Sequence, residues 1–186
     1  MAQAHGTGAG TGAAAATEAG PGGSIRITRV RHDDPRMDGL LAGLLREYTE
    51  RYGARGAAEE LARYPVTEFA APRGRVVLAE LDGEVVAGGA LRPYEDGPTA
   101  VPDTAEFKRV WTSHRHRRRG LARRIMAALE GAARDLGYTR VRLFTGPSQP
   151  EAIALYDRLG YRRLERHEVT EWPYESAIGF TRDLGR

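Results

Sequence analysis

Hydrophobic positions along this chain follow two alternating rhythms. Ile25-Arg26-Ile27-Thr28-Arg29-Val30 repeats every second residue, the period of a half-buried strand. Leu40, Leu41, Leu44, Leu45 and Tyr48 then recur at helical spacing, behind Asp33-Asp34-Pro35, an acidic cap with proline at the first helical position. A shorter helix is predicted over Ala57–Tyr64. Val76–Leu81 and Glu84–Leu91 are apolar runs joined by Asp82-Gly83, which predicts a hairpin. A polar, proline-containing loop covers Tyr94–Asp103, and Phe107–Thr112 returns to strand rhythm. Gly120–Leu136 reads as a helix with Leu121, Ile125, Leu129 and several alanines on its buried stripe. Val141–Thr145 is a predicted strand, and Glu151–Leu159 a helix stopped by Gly160. Tyr161–Val169 and Ala177–Leu184 are predicted as closing strands.

This order predicts an α/β domain. Neighbouring strands joined by short loops imply antiparallel pairing. Strand, helix and strand from Glu106 to Thr145 imply one right-handed parallel crossover. The expected architecture is a mixed, twisted, mostly antiparallel sheet with a central parallel pair and helices on its faces. Residues 1–23 are almost all Gly, Ala and Thr, and carry no aromatic or branched aliphatic side chain. They lack the apolar surface that offsets the entropy of ordering, which predicts a flexible tail and one domain over 24–186.

Composition narrows the chemistry. The chain has 186 residues and no cysteine, which excludes disulfides, thiolate metal sites and a cysteine nucleophile. No apolar run approaches the length of a membrane span, and no signal-peptide pattern opens the chain, so the expected location is cytoplasmic. The net charge is +3, but it is uneven. The seventeen residues from Lys108 to Arg124 carry +8 with no acidic residue, leaving −5 for the remainder. This stretch runs from a strand through a basic loop into a helix N-terminus. Uncapped backbone N–H groups, the positive end of the helix dipole, and small residues at Gly120 and Ala122 make an anion site suited to a phosphate or diphosphate. Two nucleotide-binding patterns are absent: the P-loop with its lysine, and the Gly-x-Gly-x-x-Gly turn.

What stands there is Arg117-x-x-Gly120-x-Ala122. Upstream lies Glu106-Phe107-Lys108-Arg109-Val110-Trp111-Thr112. Downstream lies Gln149-Pro150-Glu151-Ala152-Ile153-Ala154-Leu155-Tyr156-Asp157-Arg158-Leu159-Gly160-Tyr161. Together these motifs, from about Ile25 to Leu184, resemble the GNAT superfamily of acyl-CoA N-acyltransferases. Four positions depart from the usual pattern: Gln149 for Asn, Tyr161 for Phe, Thr112 for Val, and Ala122 for the second Gly.

The resemblance implies acetyl-CoA as acyl donor, no metal, and a primary amine of a small molecule, amino acid or peptide as acceptor. It implies that backbone around Trp111 and Thr112 pairs with the pantetheine arm. The N–H groups of Arg117, Arg118, Arg119, Gly120, Leu121 and Ala122 would cradle the diphosphate, and Gln149 and Ala152 would line the far side. Without cysteine, direct attack in a ternary complex is expected. Glu106 is the candidate base acting through a water. It equally suits a structural or substrate-orienting carboxylate paired with Lys108 or an arginine. Tyr156 is the candidate acid at the departing sulfur; the alternative is a core aromatic. The oxyanion donor is expected to be a main-chain N–H near Val110–Thr112.

His114 and His116 lack further metal ligands at suitable spacing and read as loop residues. Tyr48, Tyr52, Tyr94, Glu95, Asp96, Trp172, Tyr174 and Glu175 fall on the segments that the resemblance places around the acceptor. Neither a membrane nor nucleic acid is expected as a partner, and a homodimer is compatible. Two rival readings stay open at this level: an acyl-CoA-binding regulator without catalysis, and a nucleic-acid module that uses the arginines for phosphate contacts.

Overall fold

A computed structural model of the chain describes residues 15–20, 23–95, 103–170 and 172–185. Its strands are β1 (Ala15–Gly20), β2 (Gly23–Val30), β3 (Arg75–Leu81), β4 (Glu84–Pro93), β5 (Thr104–Thr112), β6 (Arg140–Thr145), β7 (Arg162–Arg163) and β8 (Ile178–Asp183). Its helices are α1 (Met37–Arg63), α2 (Leu121–Asp135) and α3 (Pro150–Arg158). Among the described residues the strands form one sheet, in the order β1-β2-β3-β4-β5-β6-β8-β7. Every neighbouring pair is antiparallel except β5 and β6. The mixed α/β sheet with a central parallel pair is therefore the fold.

Side-chain alternation in β3 divides the core. Val76 and Leu78 join Leu40, Leu44 and Phe69 beneath α1, whereas Val77 and Ala79 join Ile125 and Leu129 of α2. Helix α2 buries Leu121, Ile125, Leu129 and Ala132, the stripe expected from the sequence. Helix α1 is broken at Gly53, whose φ of 74° and ψ of 168° leave helical space, so its two halves correspond to the two predicted helices.

Several elements differ from the sequence reading. Ala15–Gly20, read as tail, pairs antiparallel with β2, in register from Ala15↔Thr28 to Gly20↔Gly23. The pairing is carried by backbone hydrogen bonds, which every residue except proline can make. The first helix starts at Met37, not behind Asp34. The Asp34 carboxylate instead accepts from the Arg36 backbone at 3.0 Å and from its guanidinium at 2.8 and 2.9 Å. Of the predicted strand Tyr161–Val169, Arg162–Arg163 form the ladder with β8, and the Leu164 N–H adds one further bond, to the Gly179 carbonyl at 2.8 Å. Arg162 folds onto Glu168 through two hydrogen bonds of 2.7 and 2.8 Å, and that closure turns the segment away from the sheet. In the predicted loop Tyr94–Asp103, residues 96–102 lie outside the described residues.

Two features of β5 position the site. The first is a bulge. Gly88 faces Trp111 and Ala90 faces Lys108, so β5 carries one residue more than β4, and Arg109 takes a φ of 58°. The second is a divergence. β5 and β6 pair only from Thr104↔Arg140 to Phe107↔Leu143, although β5 runs on to Thr112. Beyond Phe107 the sheet opens on that side.

Candidate functional site

The opening contains two cavities that share Val110, Gln149 and Tyr156. The first, of about 410 Å³, lies between the diverging strands and α1, and its wall includes Tyr48, Tyr52, Glu60, Tyr64, Phe144 and Tyr174. The second, of about 580 Å³, runs between the N-terminus of α2 and α3.

The second cavity gathers most of the expected cofactor residues: Trp111, Thr112, Arg117, Arg118, Gly120, Leu121, Ala122, Gln149 and Ala152. Arg118 and Gly120 both adopt left-handed φ, 62° and 74°. No side chain caps α2. Arg124 N–H donates to the Gly120 carbonyl at 3.1 Å, so the N–H groups of Leu121, Ala122 and Arg123 precede the helical ladder. Left-handed turns leading into an uncapped helix form an anion-binding concavity. Only Gly at 120 takes that turn without strain. Arg119 is exposed and does not line the cavity. Arg123 and Arg158 do, and the sequence reading had not placed them there. Arg158 was legible in principle: it lies three residues after Leu155, on the same side of α3.

The basic stretch is not one positive patch. Lys108 pairs with Glu106 at 2.8 Å. Arg109 is buried and donates to the carbonyls of Leu61 and Tyr64, with its guanidinium 5.0 Å from the Phe69 ring centre. Arg117 pairs with Glu47 at 2.9 Å. The window crosses a strand, a loop and a helix, so its charges point in different directions. The expectation of a single concentrated site is corrected accordingly.

Tyr156 lies where the cavities meet. Burial pushes its phenol well above the ordinary tyrosine value, so it stays protonated at neutral pH. Its ring packs 5.3 Å from Phe180 and 6.0 Å from Tyr161, so it is both core aromatic and cavity wall. Glu106 does not line either cavity. Its carboxylate is buried, with Oε1 on Lys108 and Oε2 on Arg92 at 2.8 Å. Lys108 does line the first cavity, with Nζ 4.0 Å from the Tyr64 ring centre.

Of the expected acceptor residues, Tyr48, Tyr52 and Tyr174 reach the first cavity. Burial raises the Tyr48 phenol, with Glu60 adding to it, and pushes Tyr174 up to about 12. Tyr94 and Trp172 act from behind: each packs on Phe144, at 6.2 and 5.6 Å. Glu95 and Glu175 are exposed, and Asp96 lies outside the described residues. Glu60 is the one carboxylate among the described residues of that wall. Its four-residue spacing from both Gly56 and Tyr64, which share that wall, was the available signal. His114 and His116 sit in a short 3-10 turn, and no group of three metal-ligating side chains occurs among the described residues. No described helix is long and apolar enough to cross a membrane.

The acetyltransferase (GNAT) family profile matches residues 38–161, two-thirds of the chain. The chain is 34% identical over 97 residues to N-acetyltransferase family 8 member 2 of Rattus norvegicus, covering 52% of this chain and 42% of that protein. It is 32% identical over 88 residues to the uncharacterised N-acetyltransferase YjgM of Escherichia coli, covering 47% and 51%. The chain thus spans about half or less of these curated relatives. Among solved structures it superposes on the GNAT domain of S. lividans PAT with a TM-score of 0.68, 19% identity, and coverage of 92% and 96%. It also superposes on the Thermoplasma acidophilum PaiA N-acetyltransferase solved with coenzyme A, with a TM-score of 0.61, 12% identity, and coverage of 86% and 98%. At those identities the likeness shows the fold.

Proposed function

Because this chain belongs to the GNAT acetyltransferase family, we propose that it transfers an acetyl group from acetyl-CoA to a primary amine, directly and without an enzyme-bound acyl group. The observation that carries the reading is the pair of cavities meeting at Tyr156 and Val110, one ending on an anion-binding concavity and the other walled by tyrosines.

The residues present fit the acyl donor. The turn at Arg118 and Gly120 and the free N–H groups of Leu121 and Ala122 suit its diphosphate, with Arg118, Arg123 and Arg158 adding charge on the same wall. Trp111, Thr112, Gln149 and Ala152 line the channel leading from there to Tyr156. When bound, acetyl-CoA supplies the acetyl group as an activated thioester.

Three parts of this chain then act on the reacting atoms. The bulge at Arg109 takes the Val110 backbone out of register with β4, and its N–H is the donor for the carbonyl oxygen as negative charge builds there. Tyr156 holds a proton at Oη and delivers it to the leaving sulfur. The tyrosines of the first cavity hold the acceptor, which enters as the free amine, and its surplus proton passes to water.

For Glu106 we propose a positioning role: both of its oxygens hold cations, and through Lys108 it shapes the acceptor wall. The test is to combine acetyl-CoA with a panel of amino acids, polyamines, aminoglycosides and N-terminal peptides, following CoA thiol release. Amine-dependent release whose pH profile tracks the pKa of the amine supplied supports this account. A profile set by one enzyme carboxylate whatever the amine would instead call for a carboxylate base, and its loss in Glu106→Gln but not in Glu60→Gln would restore Glu106 in that role.

A further inference from the structure

Glu47, Arg51, Arg117 and Glu151 form a closed ring of alternating charge between α1, the loop before α2, and the first turn of α3. Glu47 accepts from Arg51 through Oε1 and from Arg117 through Oε2, both at 2.9 Å. Arg51 continues to Glu151, and Glu151 lies 3.9 Å from Arg117, which completes the circuit. The same stretch of α1 is tied to the start of α3 twice more: Arg51 donates to the Ser148 carbonyl, and Gln149 donates to the Tyr52 hydroxyl at 2.8 Å. The Arg51 and Glu47 side chains are only 17% and 19% exposed, so water screens their pair poorly, whereas Arg117 and Glu151, at 34% and 48%, face the cleft side of the ring.

Its position is the telling feature. Glu47, Arg117 and Glu151 all line the cleft assigned to the diphosphate. Two carboxylates on the wall of a polyanion site repel the ligand, and Glu47 also occupies an arginine the ligand needs. Tyr48 and Tyr52 each follow a ring residue directly on α1, and both line the acceptor cavity. Gly53, where α1 leaves helical geometry, comes next.

We infer that the ring is a charge-exchange latch: Glu47 holds Arg117 and Arg51 in the free protein, and a diphosphate in the cleft takes Arg117 from it, unfastening this part of α1 and resetting the tyrosine wall of the acceptor cavity. The inference rests on the acyl-CoA reading of the cleft. A ligand can shift this equilibrium because it binds the two states differently: only the open ring offers it Arg117.

The experiment is calorimetric titration of CoA, and separately of inorganic pyrophosphate, into wild type, Glu47→Gln, Glu151→Gln and the off-ring control Glu50→Gln. Backbone amide exchange over residues 45–52 is followed with and without CoA. Glu47→Gln is expected to tighten CoA about three- to tenfold, with Glu151→Gln changing in the same direction and Glu50→Gln within about 1.5-fold. CoA is expected to speed exchange over 45–52 in wild type, and Glu47→Gln to show the faster exchange already without CoA. Should Glu47→Gln fail to fold, Glu151→Gln carries the test. Wild type that binds CoA while the variants bind it equally or more weakly removes the latch and makes Glu47 a strut that pre-orients Arg117. Slower exchange on CoA binding removes the latch as well. No CoA binding by wild type or any variant removes the acyl-CoA reading itself.

Discussion

Tyr156 presents its phenol at the junction of two cavities while its ring is packed against Phe180 and Tyr161. Packing fixes the ring, and burial keeps its proton on. Tyr156→Phe is therefore expected to lower kcat about a hundredfold while leaving the CoA Kd within about twofold, measured by steady-state assay and titration calorimetry. Glu106 is a different kind of residue. Its side chain is 4% exposed, and it neutralises Arg92 and Lys108, which are 12% and 11% exposed. Removing its charge leaves Lys108 without its carboxylate and Arg92 with only the half-exposed Glu68, so Glu106→Gln is expected to cost about 3 kcal/mol of stability in urea denaturation. The Arg55–Glu59 pair, 93% and 61% exposed, is the contrast: Glu59→Gln is expected to change stability by less than about 0.5 kcal/mol. The sequence placed Glu106 beside Lys108 but could not show that Arg92, fourteen residues earlier, would close on its other oxygen. Cross-strand partners depend on register, which the hydrophobic pattern alone leaves open.

At the scale of elements, legibility followed periodicity. Helix α2 was readable because Leu121, Ile125 and Leu129 repeat every fourth residue and all face the sheet. The Tyr161–Val169 segment was misread because alternation there is overridden by a local ionic closure. Hydrogen bonds from Arg162 and the Glu165 N–H hold the Glu168 carboxyl down to about 2, against an ordinary value near 4.5. A carboxyl lowered by folding contributes stability above its unfolded pKa and loses it as pH falls through the folded one. The difference in Tm between wild type and Glu168→Gln should therefore be constant above about pH 5. It should shrink as pH drops from about 4.5 toward 2. Helix α1 meets β5 through Gly43. A Cβ there would stand 2.2 Å from the Trp111 indole, which forces the indole to move. Because Trp111 lines the second cavity, where acyl-CoA is proposed to bind, Gly43→Ala is expected to lower stability by about 1–3 kcal/mol and weaken CoA binding about tenfold or more, read by thermal melting and calorimetry.

Over the whole molecule, the fold follows from element order and one parallel pair. The site follows from two local departures: the bulge at Arg109 and the parting of β5 from β6 after Phe107. Neither is a matter of composition, so the sequence pointed to several of the residues that gather at the cleft, missed Glu60, Arg123 and Arg158, and did not show the shape that gathers them. Charge illustrates the same limit. The +8 window looked like a single cradle, yet Lys108 and Arg109 are held inside the fold by Glu106 and by the Leu61 and Tyr64 carbonyls, and Arg117 is paired with Glu47 on the cleft wall. What remains for an anion is mostly backbone, assisted by Arg118, Arg123 and Arg158.

The most direct measurement of the central claim is the melting temperature of the wild-type protein with and without 1 mM acetyl-CoA, beside Ala122→Glu, which sets a carboxylate on the wall of the concavity. For a Kd on the order of 10 μM the account predicts about 2.7 kcal/mol of stabilisation, a rise of about 5 °C or more in wild type and little or none in the variant. An unchanged melting temperature in wild type, or an equal rise in both proteins, would contradict it.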